Sequence, residues 1–424
     1  MKVYIETYGC ALNKADSSLM KALLLNRGHE VLENLNDADV VVINTCTVRM
    51  DSEERILKRL RQLVKILNGR KLVITGCMVS TQPYTLKQIT PTASLISPQN
   101  ITKVVEVIES PNVENLIVGI RDTSQLLCSI DGRVASIPIA EGCVGDCSYC
   151  IVKLARRRLT SYKPELIINS VREAVSKGAV EVELTAQDTA AYGLDLGGMN
   201  LPKLVREVVD RVEGNYMIRI GMANPNTLRP ILDELIEVLK EPKVFKYLHI
   251  PLQSGDDKVL KIMKRWYTSE DFINIVRELR RKIPGINIAT DIIVGHPGEG
   301  DEEFENTLNV INTVQPDKVH IAQYTPRPRT ESSKMAQVSE QIKKKRSTLL
   351  TKIVEEIGMK INKEYIGSIA KPLIISKNTK KNTVLGRLFN YKLVVINDVE
   401  FNESPVLLTD ATFYDLRGTY IKQY

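Results

Sequence analysis

No stretch of the 424-residue chain runs to the ~18 consecutive apolar residues that a membrane-spanning helix requires, so the expectation is that no segment spans a membrane and that no membrane partner is involved. The opening residues Met1-Lys-Val-Tyr-Ile-Glu-Thr-Tyr carry no apolar signal core, and the expectation is a cytoplasmic protein. A disulfide framework is then not expected, and metal ligation or catalysis is the better reading of the seven cysteines. Histidine is scarce: His29, His249, His296 and His320 are the only four, they form no metal or triad pattern, and each is read as structural. Aromatics make up 5% of the chain, too few for extensive stacking on bases. Internal repeats and low-complexity stretches are absent. What is present is ordinary for globular protein, 43% hydrophobic and 26% charged residues, at a length that suits two or three domains. A net charge of +7 is a mild basic excess, compatible with an RNA partner.

Six of the cysteines fall into two trios. Cys10, Cys46 and Cys77 are dispersed through a region that alternates strand and helix: a strand at Lys2 to Thr7, a helix from about Leu12 to Asn26, an apolar strand at Val40 to Asn44, a helix from about Asp51 to Leu67, and a strand at Lys71 to Thr75. This is a doubly wound α/β pattern, and each of the three cysteines stands just past the carboxyl end of a strand. Open α/β sheets bind ligands at that edge, so three cysteines in equivalent places favour a shared metal cluster. The seventh, Cys128, reads as a small buried hydrophobe.

The other trio is Cys143-Val-Gly-Asp-Cys147-Ser-Tyr-Cys150, a C-x3-C-x2-C loop after the apolar run Val134 to Ile139. Structural zinc sites use two close ligand pairs, and no fourth Cys or His follows nearby. A four-iron cluster normally takes four thiolates, so three leave one iron open to another molecule. The loop opens a second α/β array with strands at Val134–Ile139, Glu181–Thr185, Met217–Ile220, Tyr247–Ile250, Asn287–Ile293 and Lys318–Gln323. Six units are too few for an eight-fold barrel and suit a partial, open one, with its active mouth at the carboxyl ends of the strands. From about Gln341 a basic helix (Lys343, Lys344, Lys345, Arg346) leads into short strands, Ala370–Ile375, Thr383–Gly386, Lys392–Val395, Pro405–Leu408 and Thr419–Ile421, that read as a small antiparallel barrel.

On these features the chain resembles the radical S-adenosylmethionine (SAM) superfamily. Gly9-Cys10-Ala-Leu-Asn13, Asn44-Thr-Cys46-Thr-Val48, Gly76-Cys77, His249-Ile-Pro-Leu-Gln253-Ser-Gly255 and Thr290-Asp-Ile-Ile-Val-Gly295-His-Pro-Gly-Glu299 narrow the likeness to its methylthiotransferases. The resemblance implies an N-terminal methylthiotransferase domain over 1–112 carrying an auxiliary [4Fe–4S] cluster, a (β/α)6 radical SAM core over 129–358, and a TRAM-like RNA-binding domain over 361–424. It implies that Cys143, Cys147 and Cys150 hold a radical-generating [4Fe–4S] cluster and that Cys10, Cys46 and Cys77 hold the second, where sulfur is carried and methylated. Two SAM molecules are used: one methylates that sulfur and one supplies a 5′-deoxyadenosyl radical. Tyr149, Gln187, Gln253 and Asp291 are candidate SAM contacts, with a loop anchor for Tyr149 and turn or cap roles for the other three as the alternatives.

Within the methylthiotransferases, Cys147-Ser-Tyr-Cys150-Ile-Val-Lys-Leu-Ala-Arg156 and Leu184-Thr-Ala-Gln-Asp188-Thr-Ala-Ala-Tyr192-Gly193 look like the archaeal and eukaryotic branch. That branch acts at C2 of N6-threonylcarbamoyladenosine at position 37 of tRNA. The implied partners are tRNA and an electron donor of unknown identity. Arg156, Arg157 and Arg158 suit phosphates or the threonylcarbamoyl carboxylate, or else form a solvated basic face. The basic C-terminal helix, with Lys380, Lys381, Arg387, Phe389 and Tyr391, would suit an RNA backbone and its bases. The chain departs from the family pattern at Arg157 and Arg329, where glycine is usual.

Overall fold

The structure, a computed structural model, describes residues 1–48, 50–378, 382–397 and 404–421. Val40–Thr45 is buried along its whole length, which a near-continuous apolar strand in a parallel sheet requires. It lies inside a six-stranded sheet in the spatial order Glu30–Leu32, Lys2–Thr7, Val40–Thr45, Lys71–Gly76, Ser94–Ile96, Asn115–Leu116. Every pairing in this sheet is parallel. The winding reverses between Lys2–Thr7 and Val40–Thr45, so the ligand-binding crevice of a doubly wound sheet opens there. Thr7 pairs with Asn44 and Asn44 with Thr75, so three strand ends finish level.

Six further parallel strands make the partial barrel. Val134–Pro138, Glu181–Thr185 and Met217–Ile220 form one sheet, and Tyr247–His249, Asn287–Val294 and Lys318–Gln323 form another. Bridges Ile218–Val244 and Met222–His249 join the two. Helices cover the outside for reasons visible in their sequences. Ser269–Lys282 starts on a Thr268/Asp271 capping box, ends on Arg280, Arg281 and Lys282, and buries Phe272, Ile275, Val276 and Leu279 on one face. In Leu201–Arg211, Asn200 accepts the Lys203 N–H, and Leu201, Leu204, Val205 and Val208 face the core.

The long helix Glu340–Lys363 leads to a curled sheet of Ile369–Ala370, Leu373–Asn378, Thr383–Arg387, Leu393–Ile396, Val406–Ala411 and Leu416–Tyr420. Four of its five pairings are antiparallel, as expected; Leu393–Ile396 and Leu416–Tyr420 run parallel. This domain sits under the barrel. Its contacts are to residues that precede or start barrel strands: Phe389 O accepts from the Lys246 N–H (2.8 Å), Ile374 O from Arg133 (2.9 Å), and Asn390 donates to Gly285 O (3.1 Å). Tyr391, at φ 68°, enters the floor. Its hydroxyl lies 2.7 Å from a Glu181 carboxylate oxygen and 3.0 Å from one of Glu183, and its ring meets Phe245 and Tyr247.

This packing corrects part of the expected RNA surface. Tyr391 and Arg387 close the barrel floor, where Arg387 covers the Tyr391 ring 4.1 Å from its centre. Lys343 and Arg346 are buried because the long helix packs on the barrel along this side; Arg346 ties the helix to Glu299 and Asp301, and Lys343 pairs with Glu340 within it. Lys344, Lys345 and Phe389 stay exposed, and Lys380 and Lys381 lie outside the described residues.

Candidate active site

The N-terminal domain lies on the barrel mouth. Arg327, past the last barrel strand, donates to Thr47 (3.0 Å) and pairs with Glu53, and Arg329 donates to Thr81 O (2.8 Å). From the other side Gln99 donates to Ala155 O (2.9 Å). The carboxyl edges of the doubly wound sheet and of the barrel therefore face each other.

Cys10 caps the helix Ala11–Asn26, Cys46 follows its strand, and Cys77 opens the short helix Cys77–Thr81. They converge around Asn13, whose Oδ1 lies 3.9 Å from the sulfurs of both Cys10 and Cys77. A Cβ on Gly9 would sit 3.1 Å from the Cys46 sulfur, and one on Gly76 would sit 2.3 Å from Thr45 O, so both approaches need glycine. Across the interface, Cys143, Cys147 and Cys150 lie on the loop after the first barrel strand. A Cβ on Gly145 would fall 3.4 Å from the Cys143 sulfur and 3.7 Å from that of Cys147, so the loop leaves space between the thiols. Ser148 fixes the loop, donating to Ile262 O (2.8 Å) and accepting from Ser332 (2.8 Å), which also contacts His296. Cys128 is buried against Ser18, as expected.

Both thiol sets fit iron–sulfur ligation. Burial pushes the thiols up, to about 12 for Cys77 and Cys150 and about 11 for Cys143, so without a cation they stay protonated. A ligated metal removes that proton outright. Each trio also has a buried guanidinium on one sulfur. Arg156 Nε donates to Cys77 (3.4 Å) and Arg265 donates to Cys147 (3.3 Å). Such donors orient ligands and tune a cluster.

Arg156 is therefore not a free phosphate binder: it is 1% exposed and fully engaged. It bonds Asp16 (2.6 Å), Glu141 (2.9 Å) and Asn13 Oδ1 (2.7 Å), and Arg121 adds a bond to Asp16 (2.9 Å). Burial works against its charge, but Asp16 and Glu141 hold it protonated well above the ordinary arginine value. Glu141 and Arg156 flank the barrel's cysteine loop, whereas Asp16, Asn13 and Cys77 belong to the other domain. Arg157 and Arg158 remain exposed. The two departures from the family pattern coincide with left-handed backbone, φ 60° at Arg157 and φ 64° at Arg329, which is why glycine suits those places.

Gln187 and Gln253 stand at barrel strand ends, and each has a buried Oε1 without a hydrogen-bond partner. Two unsatisfied buried acceptors at the mouth suit a bound polar cofactor. Tyr149 packs edge-on against His296 at 6.0 Å. Asp291 holds the Gln253 N–H with its carbonyl (2.7 Å), while its carboxylate meets His249. His249, Asp291 and His320 come together, which corrects the reading of the histidines as patternless: they lie on neighbouring strands and no spacing links them. Arg265 reaches Cys147 from 118 positions away, a contact that no motif or spacing in the sequence signals.

A six-unit parallel barrel with a C-x3-C-x2-C loop after its first strand defines a radical SAM enzyme, whose cofactors are SAM and a [4Fe–4S] cluster. The radical SAM superfamily matches residues 137–311, and the uncharacterized protein family UPF0004 matches residues 2–97. The fold is shared with a radical SAM methyltransferase, TsrM, from Kitasatospora setae, at TM-score 0.60 over 78% of this chain and 74% of that one, with 15% identity. A probable threonylcarbamoyladenosine tRNA methylthiotransferase of Methanocaldococcus jannaschii is 41% identical over 99% of this chain and 97% of its own length. One from Pyrococcus horikoshii is 39% identical over 97% of this chain and 98% of its own, and the Homo sapiens enzyme is 36% identical over 83% and 62%. The chain belongs to the threonylcarbamoyladenosine tRNA methylthiotransferase family. Among the described residues no helix is long and apolar enough to cross a membrane.

Proposed function

We propose that this enzyme methylthiolates C2 of N6-threonylcarbamoyladenosine at position 37 of tRNA, using two [4Fe–4S] clusters and two SAM molecules. One observation supports the reading: the chain carries two cysteine trios, each one thiolate short of a complete four-iron ligand set, in two domains that Arg156 and Arg327 join beside the cysteines. Cys143, Cys147 and Cys150 hold the radical-generating cluster, and Cys10, Cys46 and Cys77 hold the auxiliary cluster. When bound, the first cluster with SAM supplies a 5′-deoxyadenosyl radical, and the second supplies the sulfur; an unreactive aromatic C–H needs a reagent of that strength.

The chain's own residues position and shield. Gln187 and Gln253 offer their unsatisfied carboxamide oxygens to SAM, and the Asp291 carbonyl fixes Gln253. Tyr149 anchors the cysteine loop on His296. Arg156 and Arg265 set the two thiolate sites. Residues 1–112, 129–358 and 361–424 act as the sulfur-carrying, radical-generating and RNA-contacting parts. Arg157 and Arg158, exposed beside the loop, suit tRNA phosphates.

The test is anaerobic reconstitution with reductant, SAM and tRNA, read by nucleoside mass spectrometry. A methylthio adduct on threonylcarbamoyladenosine is expected. Cys147→Ala should abolish 5′-deoxyadenosine formation and keep the auxiliary cluster; Cys46→Ala should keep SAM cleavage and lose the adduct. No adduct from the parent chain with both clusters loaded would overturn the reading.

A further inference from the structure

We propose that His249, Asp291 and His320 form a third metal site, for a divalent transition-metal ion, in the lumen of the barrel and with ligands from neither cysteine trio. The three residues come from three adjacent strands. His249 pairs with Ala289, two residues before Asp291 and so on its face; Asp291 pairs directly with His320. One face of the sheet therefore carries two imidazoles and a carboxylate side by side. One ligand atom from each lies within 4.8 Å of the others. Around an ion with ligands at ~2.0–2.2 Å such atoms stand about 3–3.5 Å apart, so closure needs side-chain shifts on the order of 1 Å.

The simpler arrangement is a hydrogen-bonded His–Asp pair. His249 Nε2 does lie 3.0 Å from an Asp291 oxygen. It nevertheless has no hydrogen bond of acceptable direction and is buried. The nitrogen and oxygen thus stand at hydrogen-bond distance without the direction of a hydrogen bond. The His249 and His320 rings are 5.4 Å apart and tilted by 44°, not stacked.

Two imidazoles and one carboxylate suit zinc, ferrous iron or manganese, and three protein ligands leave open coordination positions. His249 and His320 also line a 220 Å³ cavity with Arg219, Tyr247, Asp317 and Tyr391, so those positions can take water or an oxygen donor. The site needs no cysteine, and it stands whatever substrate the enzyme modifies.

The test uses the full chain with its clusters reconstituted, so that the cysteines are occupied. Zn²⁺ and Mn²⁺ are offered in separate equilibrium dialyses, and bound metal and iron are counted by elemental analysis. One equivalent of either ion per chain is expected in the parent. Binding should be at least tenfold weaker in His320→Ala, His320→Gln and Asp291→Asn, with iron content and thermal midpoint unchanged. Binding of neither ion to the parent, or undiminished binding in folded His320→Gln and Asp291→Asn, would overturn the site.

Discussion

Replacing Arg156 by methionine removes a side chain that touches both cysteine domains and a thiol. Methionine keeps much of the volume, so the loss is electrostatic. Both hydrogen bonds described for the Glu141 carboxylate come from Arg156, and Glu141 is 1% exposed; Asp16, at 0%, keeps Arg121. Breaking a buried pair by removing one partner costs about 3–5 kcal/mol, because the remaining charge stays out of water. That is a large part of a typical stability of about 5–15 kcal/mol. At roughly 2–4 °C per kcal/mol for a domain of this size, the midpoint should fall by about 6–20 °C. The assay is thermal unfolding of the iron-free chain, followed by EPR of the reduced, reconstituted protein. The signal of the proposed auxiliary cluster should shift or weaken, since the Cys77 sulfur has lost its donor. Neutralising the stranded acid in Arg156→Met/Glu141→Gln should recover most of the stability without restoring the EPR signal. A single variant as stable as the parent, or a double variant less stable than the single one, would refute the reasoning.

Arg157→Gly should stabilise the chain by about 1 kcal/mol, because an exposed side chain is removed from φ 60°, ψ −143°, a region only glycine occupies freely; the urea midpoint should rise at constant m. For pH, His296 is the informative group, since burial lowers it from 6.5 to about 4. The folded form disfavours its proton, so its contribution is complete above pH ~6.5 and is lost as pH falls towards 4, up to about 1.4 kcal/mol per pH unit and about 3 kcal/mol in all. Urea unfolding of the parent and of His296→Asn across that window should show this slope in the parent alone; parallel curves would contradict it.

Local pattern by itself determined much of this protein. Runs such as Lys2–Thr7, Glu181–Thr185 and Lys318–Gln323 read as strands and are strands, because alternation and apolar runs are properties of consecutive residues. The Cys143–Cys150 loop was legible for the same reason, and the dispersed trio because parallel topology puts every strand's carboxyl end at one edge. Arg157 and Arg329 could be marked as departures, but only their positive φ explains them. Tertiary structure decided the rest. Arg156 meets Cys77 across 79 positions, and Arg265 meets Cys147 across 118. Tyr391 closes the barrel floor from 210 positions beyond Glu181. His249, Asp291 and His320 meet through strand register alone. Such contacts depend on how strands pair and domains dock, which is set by the burial of whole surfaces, and no short-range spacing carries that information.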